Sequence, residues 1–107
     1  MKSFKMIVAY PQPKDTAVFD KVYSEEHVPM AVVKLQGKTK IVATKVLQSP
    51  QGEPTFYCIA EVYFPSLEAI QQCAASTGGK ETLAHAAKIS SGGTPVIMIA
   101  EEDTFPF

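Results

Sequence analysis

The sequence predicts an α+β fold in which a four-stranded antiparallel sheet carries helices on one face, in the order β-α-β-β-α-β. Three observations carry that expectation. Apolar runs of strand length stand near both ends of the chain and as a pair in its middle. Helical three- and four-residue spacing fills the stretch after the first run and the stretch before the last. A segment made of turn residues, Ser49-Pro50-Gln51-Gly52-Glu53-Pro54, joins the middle two runs as a hairpin.

The first strand is Phe4 to Tyr10, stopped by Pro11-Gln12-Pro13. Asp15 and Asp20 are both residue types that cap a helix, and the segment from there to about Leu35 repeats Phe19, Val22, Tyr23, His27, Met30 and Val33 at helical steps. Gly37 ends it. Thr39 to Gln48, rich in β-branched residues, is the second strand and Thr55 to Phe64 the third. Ser66 caps a second helix with Leu67, Ile70, Cys73 and Ala74 on one stripe. Ser76-Thr77-Gly78-Gly79 interrupts that helix, Lys80 to Ile89 resumes it, and Ser90-Ser91-Gly92-Gly93 stops it. Thr94 to Glu102 is the last strand. The order is the ferredoxin-like signature, and 107 residues suffice for one domain over 1–107 and not for two.

Alternation divides each strand into two faces. In the third, Phe56, Cys58, Ala60, Val62 and Phe64 are all apolar, and Tyr57, Ile59, Glu61 and Tyr63 oppose them. In the first, Phe4, Met6, Val8 and Tyr10 oppose Lys5, Ile7 and Ala9, and in the last Val96, Met98 and Ala100 oppose Ile97, Ile99 and Glu101. Two helices cover one face of such a sheet. The second face is still rich in Ile, Tyr and Ala, a patch of the kind that marks an interface. Pairing two sheets face to face about a two-fold axis covers it, so the expected assembly is a homodimer closing a dimeric α+β barrel.

Composition narrows the partners. A formal net charge of -1 gives no pull toward nucleic acid, and Lys34, Lys38, Lys40 and Lys45 are read as a solvated rim. No apolar run approaches the roughly 18 residues of a membrane span. Lys2 and Lys5 ahead of Met6 to Tyr10 imitate a signal peptide, but the run is too short and Pro11 ends it, so the expected location is cytoplasmic. Cys58 and Cys73, outside any ligand spacing, are read as buried reduced thiols. Two histidines with no HxxxH spacing give no metal site, and Gly78-Gly79 and Gly92-Gly93 are read as linker glycines rather than a nucleotide loop. No bound cofactor is expected.

His27 is the strongest candidate for chemistry. It falls on the apolar stripe of the first helix, and an imidazole there titrates near neutral pH as a general acid or base. Pro29 lacks an amide hydrogen, so the Glu25 carbonyl loses its helical partner and a kink can turn His27 toward the sheet. The plainer role is a structural imidazole bonded to the backbone at the dimer seam. Glu61, mid-strand among Tyr57, Ile59 and Tyr63, is either a buried proton-transfer carboxyl or part of an ion pair. Tyr10 and Tyr23 orient a ligand or pack the core. His85, on an Ala-rich helix, reads as a surface or packing residue.

Tyr10-Pro11, Phe19-Asp20, Tyr23 and His27-Val28-Pro29-Met30 together resemble the EthD family of dimeric α+β-barrel proteins, first associated with a monooxygenase cluster for ether degradation. The likeness continues from Gly52 to Phe64 and through Ser66-Leu67-Glu68-Ala69. After Gly79 it thins: EthD-like sequences carry an acidic residue and an aromatic before the last strand, where this chain reads Thr82-Leu83-Ala84-His85-Ala86-Ala87-Lys88-Ile89. The resemblance implies a small-molecule pocket. One expectation is a cofactor-independent enzyme acting on a small organic substrate by proton transfer, isomerisation, cyclisation or oxidoreduction, with His27 moving protons and Tyr10, Tyr23 and Glu61 orienting the ligand. The alternative is a non-catalytic binding or accessory protein to an oxygenase system. A third, a heme- or quinol-oxygen reaction as in other barrel proteins, needs an axial ligand or a substrate that activates oxygen itself.

Overall fold

Pro11 and Pro13 bracket the exit of the first strand, β1 (Lys2–Pro11), and Asp15 then takes an extended backbone and accepts the Val18 amide at 3.1 Å to start α1 (Thr16–Val22). The computed structural model describes residues 2–107, so of the single domain expected over 1–107 only position 1 lies outside the described residues. The predicted first helix is continuous but not uniform. α1 passes into a π-helical turn, Tyr23–His27, and then into α2 (Val28–Lys34), with Pro29 in the first turn of α2. Gly37, at φ +88°, makes the exit. β2 (Lys40–Lys45) and β3 (Phe56–Phe64) form the hairpin, shorter than predicted because Val46 to Thr55 belongs to the connection.

The second helix is two. Ser66 caps α3 (Leu67–Ala75) by accepting the Ala69 amide at 3.1 Å. Ser76 ends α3 and, accepting the Gly79 amide at 3.0 Å, caps α4 (Thr77–Ile89). Gly78 and Gly79 are therefore not linker residues. They form the first turn of α4, and a Cβ at Gly78 would overlap the Lys34 carbonyl oxygen of α2. The close approach needs glycine, and it fixes α4 beside α2. β4 (Val96–Asp103) completes the chain.

The four strands lie in the order β2-β3-β1-β4, every neighbouring pair antiparallel, which is the ferredoxin-like sheet the sequence predicts. The register sets Phe4 opposite Phe64, Met6 opposite Val62, Val8 opposite Ala60 and Tyr10 opposite Cys58 on the face under the helices. Two packed clusters form there, one around Met6, Val62, Phe64 and Ile70, the other around Val8, Tyr10, Phe19, Cys58 and Ala86, with Leu83 touching both.

One residue leaves its predicted face. The register slips between Tyr10, paired with Cys58, and Pro11, paired with Phe56, so Tyr57 is an extra residue in β3. Such a bulge breaks strict alternation. Tyr57 turns to the helix side, where its hydroxyl donates to Asp20 at 2.9 Å and its ring meets Phe19 edge-on.

The opposite face is apolar with one polar patch. Ile7, Ile59, Val42, Val96 and Met98 share it with Lys5, Glu61, Tyr63 and Glu102. Lys5 bonds to Glu61 and to Glu102, the latter at 2.8 Å, and the Tyr63 hydroxyl donates to Glu102 at 2.6 Å. The Glu102 and Glu61 carboxylates hold the Lys5 ammonium above its usual range. The register turns Ile97 and Ile99 of β4 to the helix side, yet they are 45% and 52% exposed, because the helices pack over β1 and β3.

A face this apolar, with Lys5, Glu61 and Glu102 paired to one another and the Lys40 ammonium over the Tyr63 ring, is suited to burial against a second copy. Sedimentation at micromolar concentration is expected to give about twice the 11.6 kDa chain mass. Ile59→Asp, which sets an unpaired carboxylate on that face, is expected to shift the particle to monomer mass or unfold it. A wild-type monomer throughout that range, or an unchanged Ile59→Asp particle, contradicts the assignment of this face.

Candidate functional site

The site grows from the first helix. Phe19, Tyr23 and His27 follow one another at four-residue steps. In an α-helix four residues overshoot one turn. The π turn at Tyr23–His27 is wider, and the Val28 amide donates to the Tyr23 carbonyl five residues back. Its four-residue step falls short, offsetting the overshoot, so the three rings stay on one line facing the sheet. Pro29 supplies the cause, since with no amide hydrogen it cannot bond to the Glu25 carbonyl that a regular helix would present.

Tyr10 rises from β1 to meet that line. Its ring stands edge-on to Phe19 at 5.2 Å, to Tyr23 at 5.7 Å and to His27 at 6.3 Å between centroids, and it is wholly buried. Its hydroxyl lies 3.2 Å from His27 Nε2. On the other side of the imidazole, His27 Nδ1 lies 2.9 Å from Nδ1 of His85 on α4. The ring planes are within 10° of parallel and the centroids 5.1 Å apart, so with the nitrogens that close the rings meet edge to edge in a hydrogen bond rather than face over face.

Burial drives the His27 pKa down from 6.5 to about 4, with the nearby His85 adding to the fall. His27 is thus an uncharged imidazole at neutral pH, with one nitrogen donating and the other accepting. Burial also raises the Tyr10 and Tyr23 hydroxyls far above their usual range, so both remain protonated. Tyr23 lies beside Cys58, whose thiol burial likewise pushes up. Cys58 and Cys73 are both free and buried, as read from the sequence.

Two spaces adjoin the chain of rings. A closed, mostly apolar cavity of about 30 Å³ lies under Tyr10, Tyr23, His27, Val28, Ala60 and Leu83, with room for no more than about two waters. A groove of about 350 Å³ opens between α1 and α4 and is lined by Val18, Phe19, Val22, His85 and Ile89. His27 touches the cavity and His85 the groove, so the imidazole pair spans the wall between them. Among the described residues no cluster of His, Cys, Asp and Glu could hold a metal ion.

An EthD domain model matches residues 11–91. The chain belongs to the EthD family. A relative from Rhodococcus erythropolis, an uncharacterised 11.0 kDa protein of the thcB–thcC intergenic region, is 31% identical over 103 residues, covering 96% of this chain and 99% of that protein. The crystal structure of an EthD family protein from Bacillus halodurans superposes with a TM-score of 0.86 at 33% identity, over 94% of this chain and 99% of that one. A dimeric ferredoxin-like protein from a Jannaschia species shares the fold at a TM-score of 0.64 and 10% identity, covering 97% and 100%.

Of the EthD residues singled out by sequence, the fold brings Tyr10, Tyr23 and His27 together. It does not bring Glu61, which lies across the sheet with Lys5. The sequence reading gave His85 a surface or packing role, and the fold sets it half-buried against His27. Its signal is the spacing Thr82, His85, Ala86, Ile89, a helical stripe hidden by the small residues around it. Among the described residues no helix is long and apolar enough to cross a membrane.

The buried imidazole links stability to pH. With its folded pKa near 4 and its ordinary value near 6.5, the unfolded chain binds more protons at this site between those limits. The contribution of uncharged His27 is whole above about pH 6.5 and is lost as pH falls toward about 4. Thermal melts across that window are expected to show Tm falling with pH, and the fall is expected to shrink in His27→Gln. An equal slope in both proteins would show that His27 is not the group responsible.

Proposed function

We propose that this EthD protein binds a small organic molecule beside the Tyr10–His27–His85 chain and moves a proton on it without a cofactor, as in isomerisation or cyclisation of an enolisable substrate. The observation that carries the reading is the unbroken line of hydrogen-bonding atoms from a buried phenol, through an uncharged imidazole, to an imidazole at an open groove.

The line has two consistent arrangements of hydrogens. In one, Tyr10 donates to His27 Nε2, His27 Nδ1 donates to His85 Nδ1, and His85 Nε2 carries a hydrogen. In the other, His85 Nδ1 donates to His27 Nδ1, His27 Nε2 donates to the Tyr10 oxygen, and His85 Nε2 offers a lone pair. In the second arrangement His85 Nε2 takes a proton from carbon and holds it as an imidazolium beside the enolate, with Tyr10 still protonated. An isomerisation needs no more than that, since the proton taken from carbon is returned to the same molecule. The low pKa of His27 keeps it an uncharged acceptor for the His85 Nδ1 hydrogen, which leaves His85 Nε2 its lone pair. Tyr23 packs against the His27 ring at 5.7 Å and holds its plane.

Glu61 has no part in this site. We assign it with Lys5, Tyr63 and Glu102 to the seam of a homodimer, which the apolar sheet face and the dimeric ferredoxin-like neighbour support. The reading takes the protein as cytoplasmic, in keeping with two unpaired thiols.

Deuterium incorporation beside the carbonyl of small cyclic ketones and lactones, followed by proton NMR in D₂O, tests the proposal. Wild type is expected to exceed the buffer rate on at least one compound. His27→Ala, which leaves the buried Tyr10 hydroxyl without its partner and so lowers the melt, is expected to lose roughly 10²–10⁴-fold of that enhancement while still folded at the assay temperature. No enhancement on any compound, or an undiminished rate in His27→Ala, would sink proton transfer. Binding without exchange would leave a ligand-holding protein.

A further inference from the structure

Space, apolar lining and a hydrogen-bonding atom that connects inward to His27 coincide at the groove between α1 and α4. The cavity beneath Tyr10 and His27 has only about 30 Å³ and takes no organic molecule. The groove between α1 and α4 has about 350 Å³, within the roughly 300–1,000 Å³ typical of ligand pockets. Its walls are apolar: Val18 is 58% exposed, Val22 and Ile89 are half-buried, and the buried Phe19 ring borders it from below. The far end is fixed by the Lys14 amide, which donates to the Ser91 hydroxyl at 3.0 Å and ties the start of α1 to the end of α4.

His85 is the hydrogen-bonding group of the groove that connects inward. Its Nδ1 is engaged by His27. No buried side-chain polar atom among the described residues lacks a partner, so His85 Nε2, which has none in the protein, reaches the groove. Glu26 and Lys88 stand on opposite sides of the rim, carry opposite charge, and have no ion-pair partner among the described residues. Their fields offset one another over the groove, so it selects neither a cation nor an anion.

We infer that this groove is the ligand seat, and that it takes an uncharged molecule of one or two rings whose hydroxyl or enol bonds to His85 Nε2 while its ring lies on Phe19, Val22 and Ile89. This rests on the proton-transfer reading for the chemistry that follows binding, and on the groove alone for the binding. A hydroxyl there joins the Tyr10–His27–His85 line as its fourth member, donating to Nε2 in one arrangement of hydrogens and accepting from it in the other. An ether at the same position can accept but not donate. A carboxylate also can only accept.

The probes are 2-naphthol, 2-methoxynaphthalene and 2-naphthoate, titrated into isotope-labelled full-length protein and followed by amide and imidazole NMR shifts. 2-Naphthol is expected to move the signals of Val18, Val22, His85 and Ile89 and the His85 Nε2 resonance. 2-Methoxynaphthalene and 2-naphthoate, which bond to His85 Nε2 in only one of the two arrangements, are each expected to bind more weakly than 2-naphthol. Ile89→Glu is expected to abolish the shifts, and His27→Ala to keep them while losing deuterium exchange on ketones. Shifts centred on Met6, Ala60 and Leu83 would move the seat to the inner cavity and overturn the inference, leaving proton transfer standing. Groove binding with no exchange on any ketone would overturn proton transfer and leave the seat standing. No saturable shift with 2-naphthol, or equal affinity for all three probes, overturns the seat itself.

Discussion

Pro29 has no amide hydrogen, and the candidate site depends on that. A regular helix through Glu25 would leave the Glu25 carbonyl without its donor. The chain instead widens by one residue, pairs the Val28 amide with the Tyr23 carbonyl, and resumes as α2. The widening turns His27 into line with Phe19 and Tyr23, into reach of Tyr10 on one side and His85 on the other. π turns of one winding recur at functional sites because they re-aim a side chain without ending the helix that carries it. Here the side chain re-aimed is the one imidazole in a row that otherwise holds Phe19 and Tyr23.

The second support is the fit of α4. Gly78 lies against the Lys34 carbonyl at the end of α2, and Ser76 starts α4 where α3 stops. With that corner fixed, Thr82 and Ala86 point into the core and His85 falls beside them, partly covered, on the line from His27 to solvent. The protein thus sets one imidazole fully inside and one half outside. Burial strips the inner one of its tendency to hold a proton, while the outer one keeps contact with water. Paired polar groups tolerate such burial because each hydrogen-bonding atom has a partner, and among the described residues no buried side-chain polar atom is left without one.

Much of this was legible in the sequence because it depends on short-range pattern. Alternation placed Met6, Val8, Tyr10, Cys58, Ala60 and Val62 on the core face, and the four-residue steps placed Phe19, Tyr23 and His27 on one stripe. What escaped depends on contacts distant in sequence. The bulge that turns Tyr57 inward is a slip between β1 and β3, and nothing in Thr55 to Cys58 marks it. Gly78 reads as a linker residue until α2 is beside it. His85 sits among alanines, whose small side chains leave the buried side of a helix undeclared, and its importance comes from His27, 58 residues earlier.

The sheet separates two kinds of electrostatics. On the helix side the groups along the relay, Tyr10, Tyr23 and His27, are uncharged, and every shift among them runs against ionisation. On the open side Lys5, Glu61 and Glu102 are paired, and the carboxylates deepen the protonation of Lys5 while Lys5 lowers the pKa of Glu102. With Lys40 beside them the two lysines balance the two carboxylates and the patch projects little field through the strands, so the imidazole pair is shielded from it by both geometry and neutralisation. That separation lets one small domain use the two faces of a single sheet for different ends. The charged face can be covered by another copy without disturbing the proton balance at His27. On the proposed reading, a ligand exchanges at the neutral face without loosening that pairing of copies. Glu61 and His27, joined in the sequence reading as members of one site, belong to these two different faces because β3 alternates and its bulge falls at Tyr57, short of Glu61.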